Sequence, residues 1–252
     1  MSPRSTKIEW TQVTWNPITG CSKTSPGCIN CYAERMANRL KAMGSIKYSK
    51  GFEIAFHEEE LKKPMRINCP SLVFVNSMSD LFHEDLPFEI IAKIMDVIEK
   101  TPMHQYQVLT KRSKRLIEFQ NYYGVWPKNL WIGVSVENKD CKYRIDDLRK
   151  ISPEIRFLSL EPLIDDLGII NLEGIDWIIV GGESGPFSRP IKEEWVLKIR
   201  DQSIKNNIPF FFKQWGGFNK KLKGNLLDGK KWTQMPITKK GDLLGRPFFD
   251  DW

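Results

Sequence analysis

The stretch LVFVNSMSDLFHEDLPFEIIAKIMDVIEK, residues 72–100, contains the unit from which this chain is built. Its first four residues, 72–75, form a continuous apolar run, which is typical of a strand buried on both faces. Polar residues follow, and Pro87 then opens a pattern whose apolar residues recur at helical spacing until Thr101 and Pro102. The stretch therefore predicts a strand, a polar loop and a helix that covers the sheet.

The same unit recurs along the chain. Apolar strands are predicted at 106–109, 130–134, 156–160, 177–180 and 209–212, with helical patterns between most of them. This alternation favours a parallel sheet covered by helices, and chains of about 250 residues commonly close such a sheet into a barrel. We therefore predict an α/β protein of one domain, with a full or partial (β/α) TIM-like barrel over residues 1–215. Residues 216–252 are expected to form a basic extension packed on the barrel.

Polar and charged side chains stand directly after the predicted strands. In a parallel barrel the carboxyl ends of all strands face one mouth, so residues distant in sequence are expected to converge there. Seven residues qualify: Cys21, Asp80, Lys111, Glu137, Glu161, Glu183 and Lys213. We expect Asp80, Glu161, Glu183 and Lys213 to be the catalytic or substrate-binding groups. Carboxylates suit a polar or cationic substrate. An ion pair inside the mouth, with Lys213 as the cation, is the structural alternative.

The composition of the chain indicates where the protein is located and what it can bind. The formal net charge is +7, with 38 basic and 31 acidic residues. This charge favours contact with a polyanion such as nucleic acid, although a solvated lysine-rich surface explains it equally. The lysines concentrate near the C-terminus among Trp215, Phe218 and Trp232, at positions 220, 221, 223, 230, 231, 239 and 240. No apolar run could cross a bilayer, and no secretory signal begins the sequence, so we expect a cytoplasmic protein without membrane contact.

Three cysteines lie in the stretch TGCSKTSPGCINCY, residues 19–32, which runs directly into a predicted helix. Three thiolates suit an iron-sulfur cubane with one open iron, because a structural zinc site needs four ligands. Zinc remains the alternative if Cys69, His57 or His83 supplies the fourth ligand. A disulfide is disfavoured, since five cysteines without a signal peptide indicate a reducing compartment.

The spacing Cys-x6-Cys-x2-Cys resembles the cluster loop of radical S-adenosylmethionine (SAM) enzymes. The surrounding words Trp10-Thr11, Trp15-Asn16-Pro17 and Gly20-Cys21 resemble the phage Gp37/Gp68 family over nearly the whole chain. This resemblance implies a radical-SAM type of barrel, with a 4Fe-4S cluster on Cys21, Cys28 and Cys31. It further implies that SAM binds the open iron, receives an electron from an external donor and yields methionine and a 5′-deoxyadenosyl radical. That radical would abstract hydrogen from the substrate.

The resemblance also suggests which residues contact SAM. Ser135 and Glu137 occupy the place of residues that bind its amino-acid part and ribose hydroxyls. Lys111 and Arg112 suit its carboxylate or a substrate phosphate, and Arg112 could bind either with two hydrogen bonds. A surface pair formed by Lys111 and Arg112 is the alternative. Gly181 and Gly182 allow close approach of the adenine or methionine portion, although two glycines also serve a plain tight turn.

The sequence departs from the common radical-SAM pattern at three places. The usual cluster spacing is Cys-x3-Cys-x2-Cys, so this loop carries three extra residues. Asn30 stands where an aromatic residue usually lies near the adenine, and Tyr32 is the candidate to replace it. Residues 77–80, Ser-Met-Ser-Asp, stand where a Gly-Gly-Glu word usually holds the SAM amine. We therefore expect that contact to be made by other groups.

Two functions follow from this sequence. The first is a radical-SAM-like enzyme that acts on a nucleic acid or nucleotide, with a small metabolite or a partner protein as the rival substrate. The second is a zinc-stabilised nucleic-acid-binding protein without catalysis. The colour of anaerobically purified protein distinguishes them, because an iron-sulfur protein is brown and a zinc protein colourless.

Overall fold

The structure is a computed structural model that describes residues 6–218 and 224–237. No helix within these ranges combines the length and apolar character that crossing a membrane requires. The strands and helices follow one another along the chain as β1 (Val13–Trp15), β2 (Ile18–Thr19), α1 (Tyr32–Ala42), β3 (Ala55–Phe56), β4 (Leu72–Val75), α2 (Phe88–Lys100), β5 (Gln105–Thr110), α3 (Ser113–Tyr123), β6 (Leu130–Ser135), α4 (Tyr143–Arg149), β7 (Ile155–Leu160), β8 (Trp177–Gly181), α5 (Glu193–Lys205), β9 (Phe210–Gln214), β10 (Leu226–Leu227) and β11 (Lys230–Lys231).

Seven strands form one parallel sheet in the order β1-β4-β5-β6-β7-β8-β9. Every neighbouring pair in this order is parallel, as the alternation of strands and helices predicts. In the described part of the chain, β1 and β9 do not pair, so the sheet is a partial barrel with two open edges. The predicted α/β class, parallel topology and single domain are confirmed.

The two faces of the sheet have different cores. Helices cover the outer face, where α2 buries Ile91, Ile94 and Ile98 against the sheet. The inner face is closed near the amino ends of its strands by aromatic rings that surround Trp177. Its ring centroid lies 5.6 Å from that of Phe157 and 6.2 Å from those of Trp10 and Phe211. Successive residues of a strand face opposite sides, so Gln105 and Gln107 of β5, in register with Leu72 and Phe74, lie on this inner face as buried polar residues.

The described part of the predicted extension lies beside β9. Residues 224–237 include the hairpin of β10 and β11, and the amide of Phe212 donates to the carbonyl of Trp232 at 2.9 Å. Residues 219–223 and 238–252, with five of the predicted basic lysines, lie outside the described residues. The boundary at residue 216 therefore stays a prediction.

A short two-stranded sheet places the first cysteine at the mouth. β2 pairs antiparallel with β3. The next residue, Gly20, donates its amide to Met78 just beyond the end of β4, at 3.1 Å. Cys21 consequently stands at the carboxyl end of the sheet.

Candidate functional site

The three motif cysteines lie on residues 21–31, which we name the thiol loop. Cys21 lies two residues after β2, Cys28 ends a 3-10 turn that begins at Pro26, and Cys31 directly precedes α1. All three are partly exposed and free of disulfides. The described residues contain no group of three His, Cys, Asp or Glu side chains placed to hold a metal ion.

Arg112 holds the first end of the thiol loop. Its guanidinium lies 3.6 Å from Cys21 Sγ and donates to the carbonyl and hydroxyl oxygens of Ser22 at 3.1 and 2.8 Å. It also pairs with Asp80 at 3.4 Å and Glu84 at 2.6 Å. Burial, followed by the nearby Asp80, raises the pKa of Cys21 to about 12, although Arg112 acts in the opposite direction. This thiol therefore keeps its proton at neutral pH until a metal displaces it.

Asp80, predicted to be catalytic, lies in this same arrangement. One carboxylate oxygen accepts from Thr110 Oγ1 at 2.7 Å and from the Phe82 amide at 3.0 Å. The other accepts from the Lys111 amide at 3.0 Å. Asp80 is only 7% exposed, and through these contacts it joins β4, β5 and the thiol loop.

Glu137 holds the middle of the thiol loop. Its carboxylate accepts from Arg144 Nη1 at 2.7 Å and from the Ser25 hydroxyl, and both charged side chains are fully buried. A side chain at Gly27 would begin 2.7 Å from Glu137 Oε1, so the loop backbone lies directly on this carboxylate. Arg144 also donates to the carbonyl of Ser135 at 2.8 Å, which ties α4 to the end of β6.

Glu183 holds the last part of the loop. Its carboxylate accepts from Asn30 Nδ2 at 3.0 Å and from two guanidinium nitrogens of Arg189. The same guanidinium donates to the Pro26 carbonyl at 3.0 Å. Burial raises the pKa of Glu183, but the hydrogen bonds from Arg189 and Asn30 outweigh it and hold this pKa below its ordinary value.

Replacing Arg189 by alanine is expected to destabilise the protein by about 2 kcal/mol at pH 7, because Glu183 would keep a buried charge with fewer donors. The pKa of Glu183 in the folded protein lies below its ordinary value of 4.5. The stability that its pairing with Arg189 adds is therefore present above pH 4.5, and it is lost as pH falls through the folded pKa. Urea unfolding at pH 7 and pH 3 should therefore show a difference between variant and wild type that shrinks in acid. Lys192→Ala, which removes an exposed cation from the same segment, is the control. An equal loss of stability at both pH values would contradict this assignment.

A second group of predicted residues meets on the inner face of the mouth. Lys213 Nζ lies 2.7 and 2.9 Å from the two carboxylate oxygens of Glu161, so the ion pair considered above forms with this carboxylate. Gly181 lies beside them, since a side chain there would begin 3.2 Å from Glu161 Cδ. Tyr32 reaches the same region, because its hydroxyl donates to the carbonyl of Ser77.

The remaining predicted residues differ in their surroundings. Ser135 is buried at the end of β6, in register with Ser159. The Lys111 side chain makes no ion pair with any acidic residue that the structure describes. A side chain at Gly182 would begin 2.1 Å from the carbonyl of Trp215, so glycine is needed there for close packing of two backbone segments.

Sequence reasoning missed the cations that anchor the thiol loop. Arg144 lies in a charged helix and Arg189 in a loop, and neither stands directly after a strand. Arg112 is expected from the sequence to bind an anionic ligand or to form a surface pair, yet it is 6% exposed and binds the thiol loop. One chemical argument could have found these cations, because a carboxylate buried at a strand end needs a cationic partner.

The three candidates for a fourth zinc ligand occupy different places. His83 Nε2 lies 2.7 Å from the Ser22 hydroxyl and His57 Nε2 lies 2.8 Å from the Thr19 hydroxyl, so both are near the start of the thiol loop. Cys69 is exposed and precedes β4, at the opposite end of the sheet from the thiol loop. A shared site between Cys69 and the loop is therefore excluded by the length of that strand, roughly 13 Å.

The donor set of the thiol loop fits an iron-sulfur cluster with one open iron. Three thiols lie on a loop that also contains no histidine or carboxylate, and soft thiolate donors suit iron-sulfur clusters. The loop is anchored near its beginning, middle and end by Arg112, Glu137 and Glu183 respectively. Such anchoring keeps the three cysteines at the mouth of the barrel.

Solved structures similar to this chain include several of spore photoproduct lyase. The complex of that enzyme with dinucleoside spore photoproduct has 14% sequence identity and a TM-score of 0.46 over 80% of this chain and 63% of the enzyme. A variant with bound AdoMet and the same dinucleoside has 12% identity and a TM-score of 0.44 over 77% of this chain. This chain thus spans somewhat less than two thirds of the length of these structures.

No curated protein matches the chain. A family model described as "Protein of unknown function (DUF5131)" matches residues 5–236, which is nearly the whole sequence. The name Gp37/Gp68, suggested by the motif words, is not given by this match. The chain belongs to the DUF5131 family.

Proposed function

We propose that this protein is a radical-SAM-like enzyme whose cluster is held by Cys21, Cys28 and Cys31. The observation that carries the proposal is the position of these thiols on one anchored loop at the carboxyl end of a parallel partial barrel. When bound, a 4Fe-4S cluster would supply an electron from an external donor to SAM and so start radical chemistry.

Different residues of the chain would bind SAM and the substrate. Ser135, Glu137, Lys111, Gly181 and Gly182 are the proposed SAM contacts at the strand ends, with Asn30 and Tyr32 contributing from the thiol loop and α1. Glu137 is covered by Ser25 and Gly27, so any contact that it makes with SAM requires the loop to uncover it. Glu161, Lys213, Glu183 and Asp80 are the proposed catalytic or substrate-binding groups.

The shape of the mouth supports chemistry that must exclude water. The aromatic core around Trp177 closes the amino end of the inner face, while Glu161 and Lys213 lie near its carboxyl end. The Glu161–Lys213 pair is only partly exposed, with 20% and 17% of the side chains accessible. Charges that lie beside this apolar core can orient a polar substrate strongly, because little water screens them.

Anaerobic reconstitution with iron and sulfide tests the proposal. We expect about four irons per chain and an absorption or paramagnetic-resonance spectrum that changes when SAM is added. Formation of methionine and 5′-deoxyadenosine after chemical reduction would complete the demonstration. Stoichiometric zinc in protein purified without oxygen, with no uptake of iron, would contradict the proposal and favour the zinc-stabilised alternative.

A further inference from the structure

Phe187 is presented to solvent beside the thiol loop. It is 90% exposed, so its ring contributes almost nothing to the core. Its backbone φ is +63°, in the left-handed region that bulky residues rarely adopt and that costs about 1–3 kcal/mol. A strained backbone that displays an aromatic ring to solvent suggests that the ring has a binding partner.

The segment that carries Phe187 is fixed to the thiol loop and α1. Asn30 Nδ2 donates to the carbonyl of Phe187 at 2.9 Å, and Arg35 donates to the carbonyl of Ser184 at 3.0 Å. Gly185 has φ +107°, and a side chain there would begin 2.5 Å from the Arg35 guanidinium. The position of the backbone under Phe187 is thus defined by several contacts with its neighbours.

The thiol loop and α1, which bind this segment, also carry exposed apolar side chains and cations. Ile29 precedes the Asn30 that binds Phe187, and it is 59% exposed. On α1, Tyr32, Arg35 and Arg39 are exposed and fall on one face at helical spacing. Neither Arg35 nor Arg39 makes an ion pair with an acidic residue in the described ranges.

We infer that Phe187 is a base-stacking platform at the mouth, for a single-stranded nucleic acid whose phosphates lie along Arg35 and Arg39. An exposed aromatic ring binds any base through its face, and adjacent unpaired cations attract the backbone. The net charge of +7 agrees with an anionic occupant. This inference names the substrate class of the proposed enzyme and so rests on the proposed function.

This location differs from the C-terminal lysine cluster. Of the aromatic residues predicted to stack bases there, Trp215 and Trp232 are partly buried against the core, and Lys230 lies over the Trp232 ring at 5.2 Å. Phe218 is 81% exposed. The two surfaces share no residue, so a substitution of Phe187 or Arg39 leaves the C-terminal cluster unchanged.

The test measures binding of a fluorescent single-stranded oligonucleotide of about 12 nucleotides, and of its duplex, to the intact protein. Phe187→Ala is expected to weaken single-strand binding about tenfold, and Phe187→Trp to retain it. Ile169→Ala, which removes a similarly exposed apolar side chain (86%) between β7 and β8, is the control and should bind as the wild type does. Arg39→Gln should reduce the slope of log affinity against log salt by about one, whereas Phe187→Ala should leave the slope unchanged.

The measurement is made on iron-loaded protein and on protein as isolated, with iron content determined for each. Binding that depends on Phe187 in protein that takes up no iron would support the stacking surface and contradict the proposed enzyme. Phe187→Ala protein that binds the single strand as tightly as the wild type would overturn the inference. Equal affinity for duplex and single strand would also overturn it. So would the absence of any binding at about 50 mM salt, which is the result expected if a protein covers this surface.

Discussion

Alanine at Cys21, Cys28 or Cys31 is expected to abolish cluster binding, so that each single variant retains less than about a tenth of the wild-type iron after reconstitution. Three thiolates are the only protein ligands proposed for the cluster, and losing one leaves a second iron without a ligand. Iron and sulfide analysis together with the visible spectrum measures the effect. Dependence on all three thiols would distinguish a cluster from adventitious iron.

Two other cysteines provide matched controls for this experiment. Cys69 is exposed at the opposite end of the sheet, and Cys141 is buried near Glu137 without belonging to the thiol loop. Cys69→Ala and Cys141→Ala should therefore retain the full iron content. Unchanged iron in any one of the three loop variants would refute the assignment of that cysteine as a ligand.

Glu137→Ala is expected to lower the free energy of unfolding by about 3–5 kcal/mol, because it leaves the Arg144 guanidinium buried without its carboxylate. The arginine is 1% exposed and cannot reach water without repacking of α4. Urea unfolding of the variant and the wild type measures the loss.

Two further variants serve as controls for this stability measurement. Asp146→Ala removes an exposed carboxylate that pairs with Arg149 on the same helix, and it should cost less than about 1 kcal/mol. The double variant Glu137→Leu, Arg144→Met removes both buried charges and should recover much of the stability. A single variant Glu137→Ala as stable as Asp146→Ala would show that the pair contributes little to folding.

Glu137 also shows how the fold and the candidate site depend on each other. Its carboxylate joins α4 through Arg144 to the thiol loop through Ser25. A change of its packing would therefore be transmitted to the cysteines. SAM affinity alone cannot separate a contact role of Glu137 from its role in holding the loop, whereas iron content and unfolding measured together can.

The sequence by itself determined the class of the fold. Apolar runs of four or five residues, such as 72–75 and 130–134, satisfy the demand of a parallel sheet for strands buried on both faces. It also placed polar residues after these strands, because side chains at the carboxyl ends are not needed for the core. The approach of Glu161 and Lys213 follows from this topology, although the two are 52 positions apart.

Only the tertiary structure decided how the thiol loop is held and which carboxylate each cation binds. Arg112, Arg144 and Arg189 come from three different connections, and nothing local in their sequence indicates burial or partner. The partial closure of the sheet was also undetermined, because the same strand pattern suits an open or a closed barrel. Pairing of long charged side chains depends on where the backbone brings them in space. The sequence fixes that position only through the complete packing of the chain.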